Sequence, residues 1–166
     1  MGIRNSAKAL IINGRGDKVL LNKNRNSLAD MWDEFPDGAI YYDLPGGGQE
    51  QYETLEEAVR RECLEEIGVS VEVGYLAAVY EEITMGEAFR AQYPEYAHKV
   101  FFVFVCRASG EAARAATGMD LDMIGTEWVS IDNIADILLY PGVIKANFDL
   151  ILSTRSPVFL GSERVT

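Results

Sequence analysis

The chain has 166 residues, of which 48% are hydrophobic, and its formal net charge is −11. This size and composition predict one domain over residues 1–166 with a single ordinary core. The acidic balance argues against a nucleic-acid-binding protein, because such proteins neutralise phosphates with a basic face. The sequence has no run of 18 apolar residues and no signal-peptide pattern, so we expect no membrane association and a cytoplasmic location.

The first elements are predicted to be strands. Residues 7–12 and 18–22 are apolar runs separated by Asn-Gly-Arg-Gly-Asp, which predicts a β-hairpin. Residues 23–38 are polar and irregular, and residues 40–44 predict a short strand that leads into a glycine-rich turn.

A helix is predicted over residues 55–67, which contain no Gly or Pro. Thr54 is a suitable N-cap, and Glu57 three residues later completes a capping box. Gly68 suits the left-handed position that ends a helix. Val59, Cys63 and Ile67 form one apolar stripe along it.

The remaining sequence alternates strands with loops and short helices. Residues 69–84 predict one or two strands broken near Gly74, and residues 99–107 predict an apolar central strand. Residues 85–98 are predicted to form a loop or lid, residues 109–125 a loop, residues 126–130 a strand and residues 132–139 a short helix. Pro141 suits the first turn of a helix that runs to about Ser153, and the tail after residue 154 is expected to be loosely ordered.

The predicted helix carries carboxylates where helix physics disfavours them. Glu65 and Glu66 occupy its last turn, where the helix dipole normally collects Lys or Arg, and Glu62 lies beside them. A bound divalent cation would compensate this charge, because carboxylate oxygens are the ligands that Mg²⁺ prefers. Residues 50–87 contain eleven Glu against two Arg, so an anionic ligand would need a cation to approach. The alternatives are a solvated acidic helix and acidity that only aids solubility.

Residues 47–69 resemble the Nudix box of the Nudix (MutT-like) hydrolases, whose pattern is G-x5-E-x7-R-E-U-x-E-E-x-G-U with U a bulky aliphatic residue. Every fixed position matches: Gly47, Glu53, Arg61, Glu62, Glu65, Glu66 and Gly68. Cys63 at the first U position departs from the pattern but is apolar. Tyr52 stands where many relatives carry Gly. Neither departure removes a carboxylate.

The resemblance implies an α/β Nudix fold, with a mixed β-sheet sandwiched between α-helices. It also implies Mg²⁺-dependent hydrolysis, with Mn²⁺ as a substitute, of a nucleoside diphosphate linked to another group X. The metal ligands implied on the box are Glu62, Glu65, Glu66 and Gly47. Arg61 would orient a box carboxylate, and Glu53 belongs to the catalytic set. The general base is predicted to be Glu65 or Glu66, and loop carboxylates stay open.

An additional ligand is predicted before the pair Glu127-Trp128, which resembles the start of a late strand in MutT-type enzymes. Some relatives carry an extra metal-binding carboxylate a few residues earlier, where Asp120 and Asp122 stand here. The alternative is that these aspartates only stabilise turns.

Substrate contacts are predicted in the two irregular segments, residues 23–38 and 85–98, as the walls of a nucleotide pocket. A base could stack on the aromatic side chains, and phosphate or ribose could meet the basic ones; the candidates are Trp32, Phe35, Tyr42, Tyr96, Arg25 and His98. The alternative is that these residues serve packing alone. Oxidised nucleoside triphosphates, ADP-ribose, dinucleoside polyphosphates and nucleotide sugars all stay open as substrates.

Two function classes follow. The first is a pyrophosphohydrolase with a small nucleotide as its partner. The second is a non-catalytic Nudix-fold module that binds or senses a nucleotide. Such modules tend to lose a box Glu or the box Arg, so the intact box favours the enzyme. A homodimer is left open.

Overall fold

The computed structural model describes residues 2–27, 34–109 and 122–165. Within these residues the strands are β1 Arg4–Ile12, β2 Lys18–Arg25, β3 Ile40–Asp43, β4 Gly46–Gly48, β5 Val71–Thr84, β6 His98–Ala108, β7 Met123–Ser130, β8 Leu139–Tyr140 and β9 Val158–Val165. The helices are α1 Leu55–Ile67, α2 Glu87–Gln92, α3 Gly142–Ala146 and α4 Phe148–Ser153, with 3₁₀ turns at Pro94–Tyr96 and Ile131–Asp136. No described helix is long and apolar enough to cross a membrane.

The strands form one mixed sheet in the order β8-β3-β2-β1-β6-β5-β9, with β4 paired to β1 and β7 paired to β2. β1 runs parallel to β6 along its whole length, from Arg4 opposite Lys99 to Ile12 opposite Arg107. The predicted hairpin of β1 and β2 is confirmed, but these strands pair only near Ile11 and Ile12. Beside residues 6–8 of β1, β4 takes the place of β2.

Alternation along β1 divides the core into two layers. Ala7, Ala9 and Ile11 pack with Val59 and Cys63 of α1. Leu10 packs on the opposite face with a cluster that includes residues of α3 and α4, among them Ile144 and Ile151. The predicted sandwich of a mixed sheet between helices is therefore confirmed.

The predicted bounds of α1 are confirmed by its caps. The Thr54 hydroxyl accepts a hydrogen bond from Glu57 N at 3.2 Å, and Glu57 Oε2 accepts one from Thr54 N at 2.8 Å. Gly68 ends the helix with a φ of 69°. These contacts satisfy backbone groups that a helix end otherwise leaves unpaired.

The expectation that the tail after residue 154 is loosely ordered is wrong, because residues 158–165 form β9. β9 pairs in parallel with β5, from Ala78 opposite Val158 to Thr84 opposite Val165. Terminal segments are often loosely ordered, but this one is held by backbone pairing at a sheet edge. Side chains add to the pairing, since Ser162 Oγ donates to Glu81 at 2.6 Å and Tyr80 OH donates to a carboxylate oxygen of Glu163 at 2.9 Å.

Three other boundaries differ from the sequence prediction. Residues 85–98 contain α2 and a 3₁₀ turn instead of an irregular loop. The helix expected from Pro141 to Ser153 is two short helices that meet at Asn147, whose φ of −117° is not helical. Residues 71–84 form one strand with register shifts beside Gly74 and after Leu76. Most of the loop predicted over residues 109–125 lies outside the described residues.

Gly46 allows the backbone of β4 to approach β1. Its φ is 125°, and a Cβ built at this position would lie 2.2 Å from the carbonyl oxygen of Ala7. That oxygen belongs to the central strand, so it cannot move aside as a flexible side chain can. The glycine is therefore required for β4 to lie next to β1, which sets the position of the segment before α1.

We expect Gly46→Ala to lower the free energy of unfolding by at least ~2 kcal/mol, because it combines a disallowed φ with a backbone clash. Gly16→Ala is the matched control: Gly16 also has a positive φ, of 79°, but a Cβ there meets nothing within 4 Å. The control should cost about 1 kcal/mol. Urea denaturation measures both values, and equal costs would contradict the role of the close approach.

Candidate active site

The carboxylates of α1 converge on one guanidinium. Arg61 Nε donates to Glu53 at 2.8 Å, and Nη2 donates to Glu53 and to the Gly48 carbonyl oxygen, each at 2.9 Å. Nη1 donates to Glu62 at 2.9 Å and to Glu65 at 3.2 Å. All five N–H groups of the side chain therefore have a partner, and Glu53 is bound through both oxygens.

This arrangement perturbs the titration of both partners. The hydrogen bonds that Arg61 donates to the Glu53 carboxylate, together with its contact with Glu62, raise the pKa of Arg61 further above its already high value, against the effect of burial. The Arg61 hydrogen bonds hold the pKa of Glu53 below its usual range. The guanidinium thus stays charged and fixes three glutamates that would otherwise repel one another.

Glu62 lies against the glycine segment. A Cβ on Gly47 would fall 2.6 Å from the Glu62 carboxyl carbon and from one of its oxygens. The box backbone at Gly47 and the Glu62 carboxylate are therefore in direct contact, which only glycine permits.

Glu66 occupies a different environment, since it is only 6% exposed. One of its carboxylate oxygens accepts a hydrogen bond from Gly46 N at 2.8 Å, and Asn22 provides a side-chain hydrogen bond. The pKa of Glu66 is raised to about 7, chiefly by burial and also by the charge of Asp43, whereas Lys8 and the two hydrogen bonds act in the opposite direction. Glu65, by contrast, is half exposed and accepts a hydrogen bond from Arg61.

Glu62 and Glu66 open onto a cavity of about 190 Å³. It lies where β4 separates β1 from β2, and β1, β6 and the segment around Pro141 complete its walls. The cavity is lined by Arg4, Ser6, Lys8, Asp43, Leu44, Gly46, Gly47, Glu62, Glu66, Tyr96, Lys99, Phe101, Val103, Tyr140, Pro141 and Ile144.

Three basic residues face these carboxylates across the cavity: Arg4, Lys8 and Lys99. The sequence analysis missed all three. The available signal was the alternation of β1, in which residues 4, 6 and 8 share one face, but only the parallel register with β6 shows that Lys99 lies beside Arg4. The guanidinium of Arg4 also lies over the ring of Tyr96, 4.6 Å from its centroid.

A buried polar network supports the far wall. Lys99 Nζ lies 2.8 Å from Glu82 Oε1, and the Tyr140 hydroxyl donates to the same oxygen at 2.5 Å. Lys99 also donates to the Tyr140 hydroxyl at 2.9 Å. Burial lowers the pKa of Lys99, whereas the charge of Glu82 and the hydrogen bond with it act in the opposite direction. Burial also raises the pKa of Tyr140. The contacts with Glu82 therefore stabilise the buried charge of Lys99.

Of the five predicted substrate contacts that fall within the described residues, Tyr96 alone lines this cavity. Phe35 is buried and packs on Tyr41 with ring centroids 5.3 Å apart, so it belongs to the core. Tyr42 donates to Glu127 at 3.0 Å on the other face of β3 from Asp43. His98 lies 2.9 Å from Glu81, and Arg25 donates its backbone N–H to Asp122 at 2.9 Å. Trp32 lies outside the described residues.

The structure also separates Asp122 from the box. Its carboxylate accepts a hydrogen bond from the Ser27 hydroxyl, and its carbonyl oxygen accepts the one from Arg25. It does not line the cavity of Glu62 and Glu66. These local contacts agree with the alternative, in which the aspartates stabilise turns, because they join Asp122 to residues at the end of β2. Asp120 lies outside the described residues.

The donor chemistry of the box fits a hard divalent cation. Glu62 and Glu66 offer carboxylate oxygens on one cavity, the Gly47 backbone touches Glu62, and Asn22 adds a buried amide oxygen beside Glu66. Among the described residues no three Asp, Glu, His or Cys side chains are already grouped closely enough to enclose an ion. Arg61 binds one oxygen of Glu62 and one oxygen of Glu65, so the second oxygen of each carboxylate is not engaged by the guanidinium.

Comparison with known proteins identifies the family of the chain. The family described as the NUDIX domain matches residues 2–147. A MutT-like protein from Streptomyces ambofaciens is 33% identical over 95 residues, which are 57% of this chain and 51% of that protein. The chain thus spans about half the length of this curated relative.

Solved structures show the same fold. A NUDIX hydrolase from Nitrosomonas europaea superposes with a TM-score of 0.65 at 22% identity, over 95% of this chain and 94% of that one. An ADP-ribose pyrophosphatase from Streptococcus suis 89-1591 superposes with a TM-score of 0.59 at 18% identity, over 98% and 100%. The chain belongs to the Nudix (MutT-like) hydrolase family.

The raised pKa of Glu66 predicts a pH-dependent stability of the cation-free protein. Its folded-state pKa of about 7 exceeds the ordinary 4.5, so ionisation of Glu66 opposes folding. The penalty is absent below pH 4.5, grows between pH 4.5 and 7, and is complete above that range. In the presence of chelator, the Tm of the wild-type protein should therefore fall more between pH 5 and pH 8 than the Tm of Glu66→Gln. Parallel Tm profiles would contradict this role of Glu66.

Proposed function

We propose that the protein is a divalent-cation-dependent pyrophosphohydrolase that cleaves a nucleoside diphosphate linked to a group X. The observation that carries this proposal is the cavity in which Glu62 and Glu66 face Arg4, Lys8 and Lys99. A pocket with both charge signs suits a substrate whose phosphates meet basic side chains on one side and a carboxylate-bound cation on the other.

The residues that would hold a cation, Mg²⁺ or its substitute Mn²⁺, are Glu62, Glu65 and Glu66, with the backbone at Gly47. When bound, it supplies charge neutralisation at the phosphate and activation of water. Arg61 keeps the ligands in place, since it binds both Glu62 and Glu65. Glu53 acts through Arg61 by fixing two of its five donors.

Glu66 is the better placed of the two carboxylates considered as general base. It lines the cavity, whereas Glu65 does not and is half exposed. This role requires a carboxylate oxygen of Glu66 that does not bind the cation.

Arg4, Lys8 and Lys99 would bind the anionic part of the substrate. Tyr96, whose ring is held by Arg4, offers an aromatic face at the same cavity. A structural neighbour is named ADP-ribose pyrophosphatase, which supports a nucleoside diphosphate derivative as the substrate class. The substrate panel described below identifies the preferred X group and nucleobase.

The alternative is a module that binds a nucleotide without hydrolysing it. Every box carboxylate is present, and Arg61 binds three of them, so the sequence and geometry favour the enzyme. The two functions separate in one assay, because a binding module would show nucleotide-dependent stabilisation but no product.

The test is a panel of nucleoside triphosphates, ADP-ribose, dinucleoside polyphosphates and nucleotide sugars incubated with Mg²⁺ and analysed by ion chromatography. We expect a nucleoside monophosphate and a phosphorylated X from at least one class. Glu62→Gln and Glu66→Gln should each lower kcat at least ~100-fold with the fold retained, because each removes an anionic ligand and keeps its shape.

Glu56→Gln is the matched control. Glu56 lies on the same helix and pairs with Arg60 at 3.2 Å on the exposed side. Its activity should be close to wild type. Near-wild-type kcat in both Glu62→Gln and Glu66→Gln, or binding without product across the whole panel, would refute the proposed hydrolase.

A further inference from the structure

We propose that Asn22, which lies on β2 outside the box, is a positioning residue that fixes the Glu66 carboxylate and completes the cation site with its amide oxygen. This inference rests on the proposed cation site. It adds to that site a neutral side chain from a strand that the box motif does not include.

The first observation is a row of buried asparagines along one face of the extended segment that begins with β2. Asn22, Asn24 and Asn26 are 1%, 4% and 1% exposed. They continue the face of Leu20, which packs in the core layer beside α1. Polar side chains in such positions are unfavourable unless they form hydrogen bonds, so each must have a partner that justifies its burial.

Two of the three asparagines have partners outside the box. Asn24 Nδ2 donates to Asp43 Oδ1 at 3.1 Å, and Asn26 Nδ2 donates to the Phe35 carbonyl oxygen at 2.6 Å. Asn22 is the member whose amide hydrogen-bonds a box carboxylate, that of Glu66. Because Glu66 also accepts from Gly46 N, its carboxylate is held from two sides, by β2 and by β4.

The second observation concerns the amide oxygen of Asn22. Among the described residues, Asn22 Oδ1 is the buried side-chain atom that has no hydrogen-bond partner. The orientation of the amide follows from chemistry, since a flipped amide would point its oxygen at the Glu66 carboxylate. An unpaired buried acceptor is costly, so it indicates a donor that belongs to the complete site.

A hydrated divalent cation supplies such a donor. Mg²⁺ bound by one or two carboxylates usually keeps several waters, and those waters donate to nearby acceptors. The neighbours of Asn22 suit a nearby cation, because they are carboxylates: Glu66 bonds the Asn22 amide, and Asp43 is the cross-strand partner of Asn22. A neutral amide adds an acceptor here without adding to the repulsion between two carboxylates.

The experiment is a Mn²⁺ titration of the purified full chain, followed by electron paramagnetic resonance of the free ion and paired with thermal denaturation. Asn22→Leu keeps most of the side-chain volume but removes both amide functions. We expect it to raise the Kd for Mn²⁺ about 10–100-fold, as loss of an outer-shell partner does. Asn22→Asp restores an acceptor oxygen and should recover affinity relative to Asn22→Leu.

Asn26→Ala is the matched control, because it removes an equally buried asparagine whose amide donates to the backbone carbonyl oxygens of Phe35 and Pro36. It should lower the Tm while the Kd stays within about twofold of wild type. If Asn22→Leu does not fold, the comparison of Asn22→Ser with Asn26→Ala decides instead. An unchanged Kd in the Asn22 variants, or an equal loss in Asn26→Ala, overturns the inference.

Glu66→Gln separates this inference from the proposed function. If Glu66→Gln loses Mn²⁺ and Asn22→Leu does not, Asn22 has no positioning role but the cation site stands. If both lose Mn²⁺ while the wild-type protein hydrolyses no nucleotide, the inference stands and the hydrolase proposal fails. A wild-type protein that binds no Mn²⁺ overturns both.

Discussion

The guanidinium of Arg61 is the interaction on which the rest of the site depends. The four glutamates of the box, Glu53, Glu62, Glu65 and Glu66, lie on or just before one short helix, in a chain whose net charge is already −11. Arg61 binds three of them and the Gly48 carbonyl with all five of its donors. It therefore joins α1 to the glycine segment and holds the acidic side chains at fixed positions in the absence of a cation. Lys could not do the same, since an ammonium has three donors and no planar geometry.

The fourth glutamate is held by different means, and this difference shapes the site. Glu66 is not among the glutamates that Arg61 binds. It is buried and receives hydrogen bonds from Gly46 and Asn22. The Gly46 contact depends on β4 lying against β1, which the close approach at Gly46 permits. The same displacement of β2 from β1 opens the cavity, so the geometry that holds Glu66 also exposes it to Arg4, Lys8 and Lys99.

Local signals in the sequence predict the local parts of this structure well. The capping box of Thr54 and Glu57 and the terminal Gly68 define α1, because capping contacts span only a few residues. The spacing of the box places Arg61 and its carboxylates correctly for the same reason. Non-local features were not predictable in this way. The basic wall requires the parallel register of Arg4 with Lys99, and β9 is ordered by pairing with β5, although its terminal position predicts a loose tail. Phe35 illustrates a third limit, since an aromatic in a polar segment can equally be a substrate contact or, as here, a core residue.

The central claim is that Glu62 and Glu66 hold a cation at the cavity where the substrate phosphates bind. A crystal structure with Mn²⁺ and a non-hydrolysable methylene analogue of a nucleoside diphosphate derivative tests it most directly, because the anomalous signal locates the ion independently of the protein. The account predicts an ion within about 2.0–2.2 Å of oxygens from both glutamates, with phosphate oxygens in hydrogen-bond contact with Arg4 or Lys8. An ion bound elsewhere, or an analogue that binds outside this cavity, would contradict it.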